Sequence, residues 1–255
     1  MTPKSAAKTK LWLFALLFLT FTSCTKEKQN ILTIATAANM QFAMKALAEA
    51  YTAETGQQVE LVVSSSGKLT AQIREGAPYD LFFSADTKYP QAIYETGGGT
   101  SIPVIYASGQ LVLWSTSKNI QVSIDQLTND EVKHIAIANP RTAPYGTAAV
   151  EVLKQLELFD TVKDKLVYGE SISQVNQFII SQAAEIGFTA KSVVLSPNMS
   201  DQGNWIAIAD SLHTPINQAM VVLKNDRGLE KEAEAFATFV GSEKGLSILR
   251  SFGYK

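Results

Sequence analysis

One cysteine, two histidines and no run of twenty apolar residues in a chain of 255 remove several classes of chemistry at the outset. A lone cysteine cannot close an internal disulfide, and two histidines cannot supply a zinc centre or a His-based catalytic constellation without heavy help from carboxylates. Positive charge is scarce as well, with 22 Lys and Arg against 24 Asp and Glu. Three of those lysines, Lys4, Lys8 and Lys10, stand in the first 23 residues, which hold no acid. The rest of the chain therefore has 19 basic and 24 acidic residues, a net charge of −5. It offers no broad basic field to nucleic acid or to an anionic membrane. What remains, 46% hydrophobic and 18% charged residues, is a globular composition that excludes disorder, collagen-like repeats and coiled coil.

The first residues read as an address. The three lysines form a basic start, Leu11 to Phe21 is apolar apart from Thr20, and Thr22-Ser23-Cys24 follows. The apolar stretch is about half of the roughly 20 residues a spanning helix needs, so 1–23 reads as a signal peptide rather than an anchor. Small residues directly before a cysteine resemble a bacterial lipobox, which would make Cys24 the lipidated N-terminus of an exported chain. The polar segment 24–30 then serves as a tether, and membrane contact runs only through the lipid.

From Ile31 onward strands and helices alternate. Ile31 to Ala37 is apolar and β-branched, and Met40, Ala43, Met44, Leu47, Ala48 and Tyr51 then recur at helical spacing. The same unit repeats with strands at Val59 to Val63 and Asp80 to Ser84 and helices from Leu69 and Tyr89. It continues with strands at Leu111 to Ser115 and His134 to Ala138, a helix from Thr147, a helix from Ser173, and strands at Ile186 to Thr189, Trp205 to Ala209 and Gln218 to Leu223. Two helices, Ala233 to Val240 and Glu243 to Ser251, close the chain. Such alternation predicts an α/β fold with largely parallel sheets flanked by helices, as one sheet or as two lobes. Trp114, Trp205 and the two histidines, His134 and His213, read as structural residues.

In open α/β sheets ligands bind beyond the carboxyl ends of the strands, so the turns there carry the chemistry. Three are rich in small polar residues. Asn39 and Ser65-Ser66 stand where N-caps belong, and Tyr145-Gly146 precedes a third helix. Helix starts offer unpaired N–H groups and partial positive charge, so several converging on one point make an anion site without a basic side chain. Ser65-Ser66-Gly67-Lys68 also fits the Ser-x-x-Lys pattern of serine acyl-enzymes, with Ser65 as nucleophile and Lys68 as base. Neither Ser-Asp-Asn nor Lys-Thr-Gly accompanies it.

The order of motifs resembles the periplasmic molybdate-binding proteins of ABC importers. Ala37-Ala38-Asn39, Ser65-Ser66-Gly67 and the block from Gly76-Ala77-Pro78-Tyr79-Asp80 to Phe83-Ser84-Ala85-Asp86 carry the likeness. Gly109 to Ser115, Ile137-Ala138-Asn139-Pro140, Ala143-Pro144-Tyr145-Gly146, Ile186-Gly187-Phe188 and Gly253-Tyr254 continue it to the end. The resemblance implies a two-lobed type II binding protein, each lobe a mostly parallel sheet flanked by helices. Lobe one is expected over 31–105, with about 206–255 returning to it, and lobe two over 106–205. It further implies that Asn39, Ala38 and Ser66 bind the oxyanion from one lobe and Tyr145 and Ile172 from the other. Many members have Ser at the position of Asn39 and a ligand Tyr in the segment Gly187-Phe188-Thr189-Ala190, so Tyr145 is read as replacing the phenol absent at Ala190.

Function follows as binding without covalent chemistry or cofactor: molybdate, and tungstate with it, captured between the lobes as the oxyanion and handed to a permease driven by its ATPase. A monomer, periplasmic or lipid-anchored, is expected. Both anions are tetrahedral and fully ionised near pH 7, so a cage of donors suits them. Phosphate keeps a proton at that pH and needs an acceptor, whereas sulfate differs mainly in size. Carriers of sulfate or phosphate, an exported Ser65–Lys68 hydrolase and a purely structural lipoprotein are the alternatives.

Overall fold

A computed structural model describes residues 31–255. The leader, with Lys4, Lys8, Lys10 and Cys24, lies outside the described residues. Strand β1 (Leu32–Ala37) is buried along its whole length, as expected of a strand covered on both faces. A 3-10 turn over Ala38–Met40 leads into α1 (Gln41–Thr55), which buries Ala43, Met44, Leu47, Ala48 and Tyr51. Then come β2 (Val59–Ser64), α2 (Ser66–Arg74), β3 (Leu81–Ser84), α3 (Lys88–Glu95) and β4 (Val104–Gly109). Beyond Gln110 follow β5 (Leu111–Ser115), β6 (Ile135–Ala138), α4 (Pro144–Gln155), α5 (Phe159–Val162) and β7 (Leu166–Gly169). Next are α6 (Ile172–Ile180), β8 (Ile186–Ala190), α7 (Lys191–Val194) and β9 (Asn204–Ala207). The chain ends with β10 (Ile216–Val222), α8 (Glu230–Val240) and α9 (Glu243–Ser251).

These strands form two five-stranded sheets, ordered β2-β1-β3-β10-β4 and β7-β6-β8-β5-β9, and each sheet with its helices is a lobe. In each, the first three strands are parallel and the other two pairings are antiparallel. The parallel half is what strand–helix alternation dictates. The antiparallel half has a topological cause: β5 follows β4 out of the first sheet, β10 follows β9 out of the second, and each enters its new sheet from the far side. The two lobes are thus joined at Gln110 and at residues 208–215. Strand β4 spans the expected boundary at 105/106 and β9 the one at 205/206. The C-terminal residue is stitched to this region, since Lys255 and Ser108 exchange backbone hydrogen bonds of 2.8 and 3.0 Å.

The cores explain why the sheets hold their place. Phe82 and Phe83 are adjacent on β3 and point to opposite faces, Phe83 into the core under α1, α8 and α9, Phe82 into the one shared with Leu69 and Ile93. The second lobe packs around Trp114, which is fully buried and donates its indole N–H to the Gln202 carbonyl at 2.7 Å. His134 differs from its expected place inside a strand. It stands one residue before β6 with a half-exposed side chain, and its backbone N–H donates to Glu185 at 2.7 Å.

Candidate functional site

Where the lobes face each other, the fold brings the 38–40 turn and three helix starts to one point. Ala38 and Asn39 come from the turn, Ser65 and Ser66 from the start of α2, Ala143, Pro144 and Tyr145 from the start of α4, and Ile172 opens α6. With Ala37 and Ala85 they line a single small cavity. All five expected site residues, Asn39, Ser66, Tyr145, Ile172 and Ala38, therefore meet there, three from the first lobe and two from the second. No Lys, Arg, Asp, Glu or His lines it. First-turn N–H groups have no acceptor within their own helix, and the three helix dipoles add partial positive charge. The cavity is accordingly neutral in formal charge and rich in donors.

The polar side chains are held in different ways. Asn39 is not the helix cap that its position suggested. Met40 precedes α1, and the Asn39 amide donates to Gln218 Oε1 at 2.9 Å and to Tyr254 Oη at 3.1 Å. Its carbonyl accepts from Ser192 Oγ at 2.7 Å. Tyr106 donates to Gln218 Oε1 at 3.0 Å, and the Gln218 amide reaches Tyr145 Oη at 3.5 Å. A buried network from both lobes thus fixes Asn39 and Tyr145. Burial is the main cause that pushes the Tyr145 and Tyr106 phenols well above their ordinary pKa, with neighbouring phenols adding to it, and that pushes Tyr254 up to about 12. All three stay protonated at neutral pH.

Ser66 Oγ accepts from the Ala85 N–H at 3.0 Å, which leaves its proton for another acceptor. Ser65 holds the cap position before α2, yet its hydroxyl caps nothing and has no partner. Lys68 turns away to an ion pair with Glu170 of the other lobe, so the structure does not join Ser65 to Lys68. Ala190, at the end of β8, is absent from the cavity wall that Tyr145 helps to form. Sequence reasoning did not mark Ala37, Ala85, Ala143 or Pro144 as lining, because small apolar residues carry no chemical signature.

Two glycines let the walls approach. A Cβ on Gly146 would strike the Ala138 carbonyl, so α4 can begin against the end of β6 only with glycine there. Gly67 donates its N–H to the Thr142 carbonyl at 2.9 Å across the lobes, and a Cβ there would lie 2.8 Å from Tyr89 Oη and 2.9 Å from Thr142 Cα. A larger cleft of about 220 Å³ adjoins the cavity through Ala85, Ala143 and Pro144 and is flanked by Asp86, Lys88, Arg141 and Glu151. Among the described residues no cluster of His, Cys, Asp or Glu could hold a metal ion, and no helix is long and apolar enough to cross a membrane.

A donor-lined cavity closed between two lobes suits capture of a small anionic solute, and the known proteins agree. The family described as bacterial extracellular solute-binding protein matches residues 32–255. The chain belongs to that family. Two relatives are the molybdate-binding proteins ModA of Azotobacter vinelandii and of Rhodobacter capsulatus. Each is 35% identical over 223 residues, covering 87% and 86% of this chain and 88% and 86% of the relative. The solved structure of the Azotobacter vinelandii periplasmic molybdate-binding protein superposes with a TM-score of 0.83 at 33% identity, covering 88% of this chain and 98% of that one. These relatives of the solute-binding chain are carriers rather than enzymes.

Proposed function

We propose that this solute-binding protein captures molybdate, and tungstate with it, in the interlobe cavity and delivers it to a membrane permease whose ATPase drives import. The observation that carries the reading is a cavity built by both lobes from helix starts and hydroxyls, with neither a carboxylate nor a cation in its wall. The relatives named for molybdate support the choice of anion. Asn39, Ala38 and Ser66 on one side and Tyr145 and Ile172 on the other are the ligand residues, Ile172 through its backbone N–H. Donors to a charged oxygen are worth about 1.5–3 kcal/mol each, so half a dozen reach nanomolar to micromolar affinity after the costs of closure. A wall without a carboxylate disfavours phosphate, which keeps a proton near pH 7 and calls for a strong acceptor.

Lobe one then comprises 31–109 and 216–255, and lobe two 111–207, with hinges at Gln110 and 208–215. The leader 1–23 directs export, Cys24 carries the lipid anchor, segment 24–30 is the tether, and the carrier works as a monomer. Titration calorimetry of the chain from Lys26 onward with molybdate, tungstate, sulfate and phosphate tests the central reading. Tight one-to-one binding of the first two with silence from phosphate is expected, and silence from all four would overturn it. Ser66→Ala should weaken molybdate binding about 10-fold to 100-fold. Unchanged affinity would remove Ser66 from the site.

A further inference from the structure

We propose that Ser65 is a ligand residue in its own right, its hydroxyl donating to the bound oxyanion beside that of Ser66. The inference rests on the oxyanion reading above. Ser65 is 2% exposed and its Oγ has no hydrogen-bond partner. Buried hydroxyls left without a partner are rare because each loses its water without recompense, and such an atom calls for an explanation. Four buried side-chain atoms among the described residues are in this state, on Thr36, Ser65, Thr100 and His213. Of those residues only Ser65 lines the cavity.

The ordinary use of a serine at this place is helix capping, and the structure allows a direct comparison. Ser242 precedes α9 with extended backbone and accepts from the Gly245 N–H at 3.2 Å. Ser65 precedes α2 with a similar extended backbone, φ −72° and ψ 149°, and makes no such bond. Its hydroxyl is therefore kept from the role that its position makes easy. Six of the other wall residues, Ala37, Ala38, Ala85, Ala143, Pro144 and Ile172, are apolar, and the polar ones, Asn39, Ser66 and Tyr145, make no hydrogen bond to it. An anion oxygen is the missing acceptor. Ser66 differs in kind: it already accepts from Ala85 and has only its proton to give. Two adjacent serines thus aim two O–H donors at one ligand from a single turn of chain, a density of donors that matches an anion with no proton of its own.

Calorimetric titration with sodium molybdate, paired with thermal unfolding in the absence of added anion, tests this on Ser65→Ala. Binding should weaken about 10-fold, equivalent to about 1.4 kcal/mol. The anion-free melting temperature should stay equal to that of the wild type or rise, because the substitution removes an unsatisfied buried hydroxyl. Ser65→Thr, which keeps the hydroxyl, should retain more affinity than Ser65→Ala. Wild-type affinity in Ser65→Ala overturns the assignment alone. So does a lower anion-free melting temperature or failure to fold, which would make Ser65 a structural residue. If the wild-type chain itself binds neither molybdate nor tungstate, the oxyanion reading falls and this proposal with it.

Discussion

Asp80 shows how a residue that marks a family can serve the fold rather than the ligand. It closes the Gly-Ala-Pro-Tyr-Asp block, yet it lies outside the cavity wall. Its buried carboxylate accepts from the Thr33 N–H at 2.7 Å and the Asn225 amide at 3.1 Å and pairs with Arg227 Nε at 3.2 Å. The Arg227 guanidinium also binds the carbonyls of Pro78 and Ile31, which fastens the start of β1 to the loop before α8. Arg227 is itself exposed, but removing it strands the buried Asp80 carboxylate, so Arg227→Ala should lower the unfolding free energy by about 1–3 kcal/mol. Denaturant melts check the loss, and molybdate affinity should not change. Tyr254 makes a second residue-scale prediction. Its folded pKa of about 12 exceeds the ordinary value of 10, so its stabilising share is complete below pH 10 and is lost as pH rises toward 12. Two units correspond to about 3 kcal/mol. Thermal melts between pH 8 and 11.5 should fall more steeply for the wild type than for Tyr254→Phe, and equal slopes would count against a coupled phenol.

Elements built on a run of apolar residues are legible in the sequence, and two strands that lack one are silent. Strands β1 and β5 are runs of buried residues bounded by turns, and α9 spans Glu243 to Ser251 as its periodicity predicts. Strand β4 begins with two exposed residues at the edge of its sheet and ends in Ser108-Gly109, and β7 has four residues with Tyr168 exposed. Neither offers the alternation or run that marks a strand. The turns that build the cavity were legible as small polar clusters before helices. Their side-chain partners were not, because Asn39 meets Ser192, Gln218 and Tyr254 across 153, 179 and 215 positions. The start of α2 also carries a prediction of its own. Gly67→Ala inserts a methyl group between Tyr89 and the Thr142 backbone, so the helix start must back away from the other lobe. Molybdate affinity should drop at least 10-fold while the melting temperature of the anion-free chain barely moves. Wild-type affinity would mean that this contact can open without consequence for binding.

For the molecule as a whole, a set of contacts that bring the lobes together lies outside the ligand cavity. Gly67 to Thr142, Tyr89 Oη to the Arg141 carbonyl at 3.2 Å, Ser173 Oγ to Gln41 at 2.7 Å and the Lys68–Glu170 pair all cross between lobes, and none of these residues lines the cavity. In this closed arrangement the cavity measures about 10 Å³. One water needs about 10–15 Å³ on that scale. The cavity as it stands is too small for a four-oxygen anion, so seating one requires the lobes to part from this arrangement, and the apparent affinity includes the balance between the two forms. Lys68 and Glu170 bias that balance from outside the site. Both are substantially exposed, and an exposed pair contributes about 0.2–1 kcal/mol, so turning attraction into repulsion in Lys68→Glu should weaken molybdate binding about 3-fold to 10-fold. The added negative charge would also repel the anion directly, which a single substitution cannot separate. The double exchange, Lys68→Glu with Glu170→Lys, restores both the pair and the net charge of the wild type. Titration calorimetry and stopped-flow release should show most of the lost affinity recovered in the double variant. If it binds as weakly as Lys68→Glu alone, the lysine acts on the anion by its own position and charge, and the pair is no part of closure.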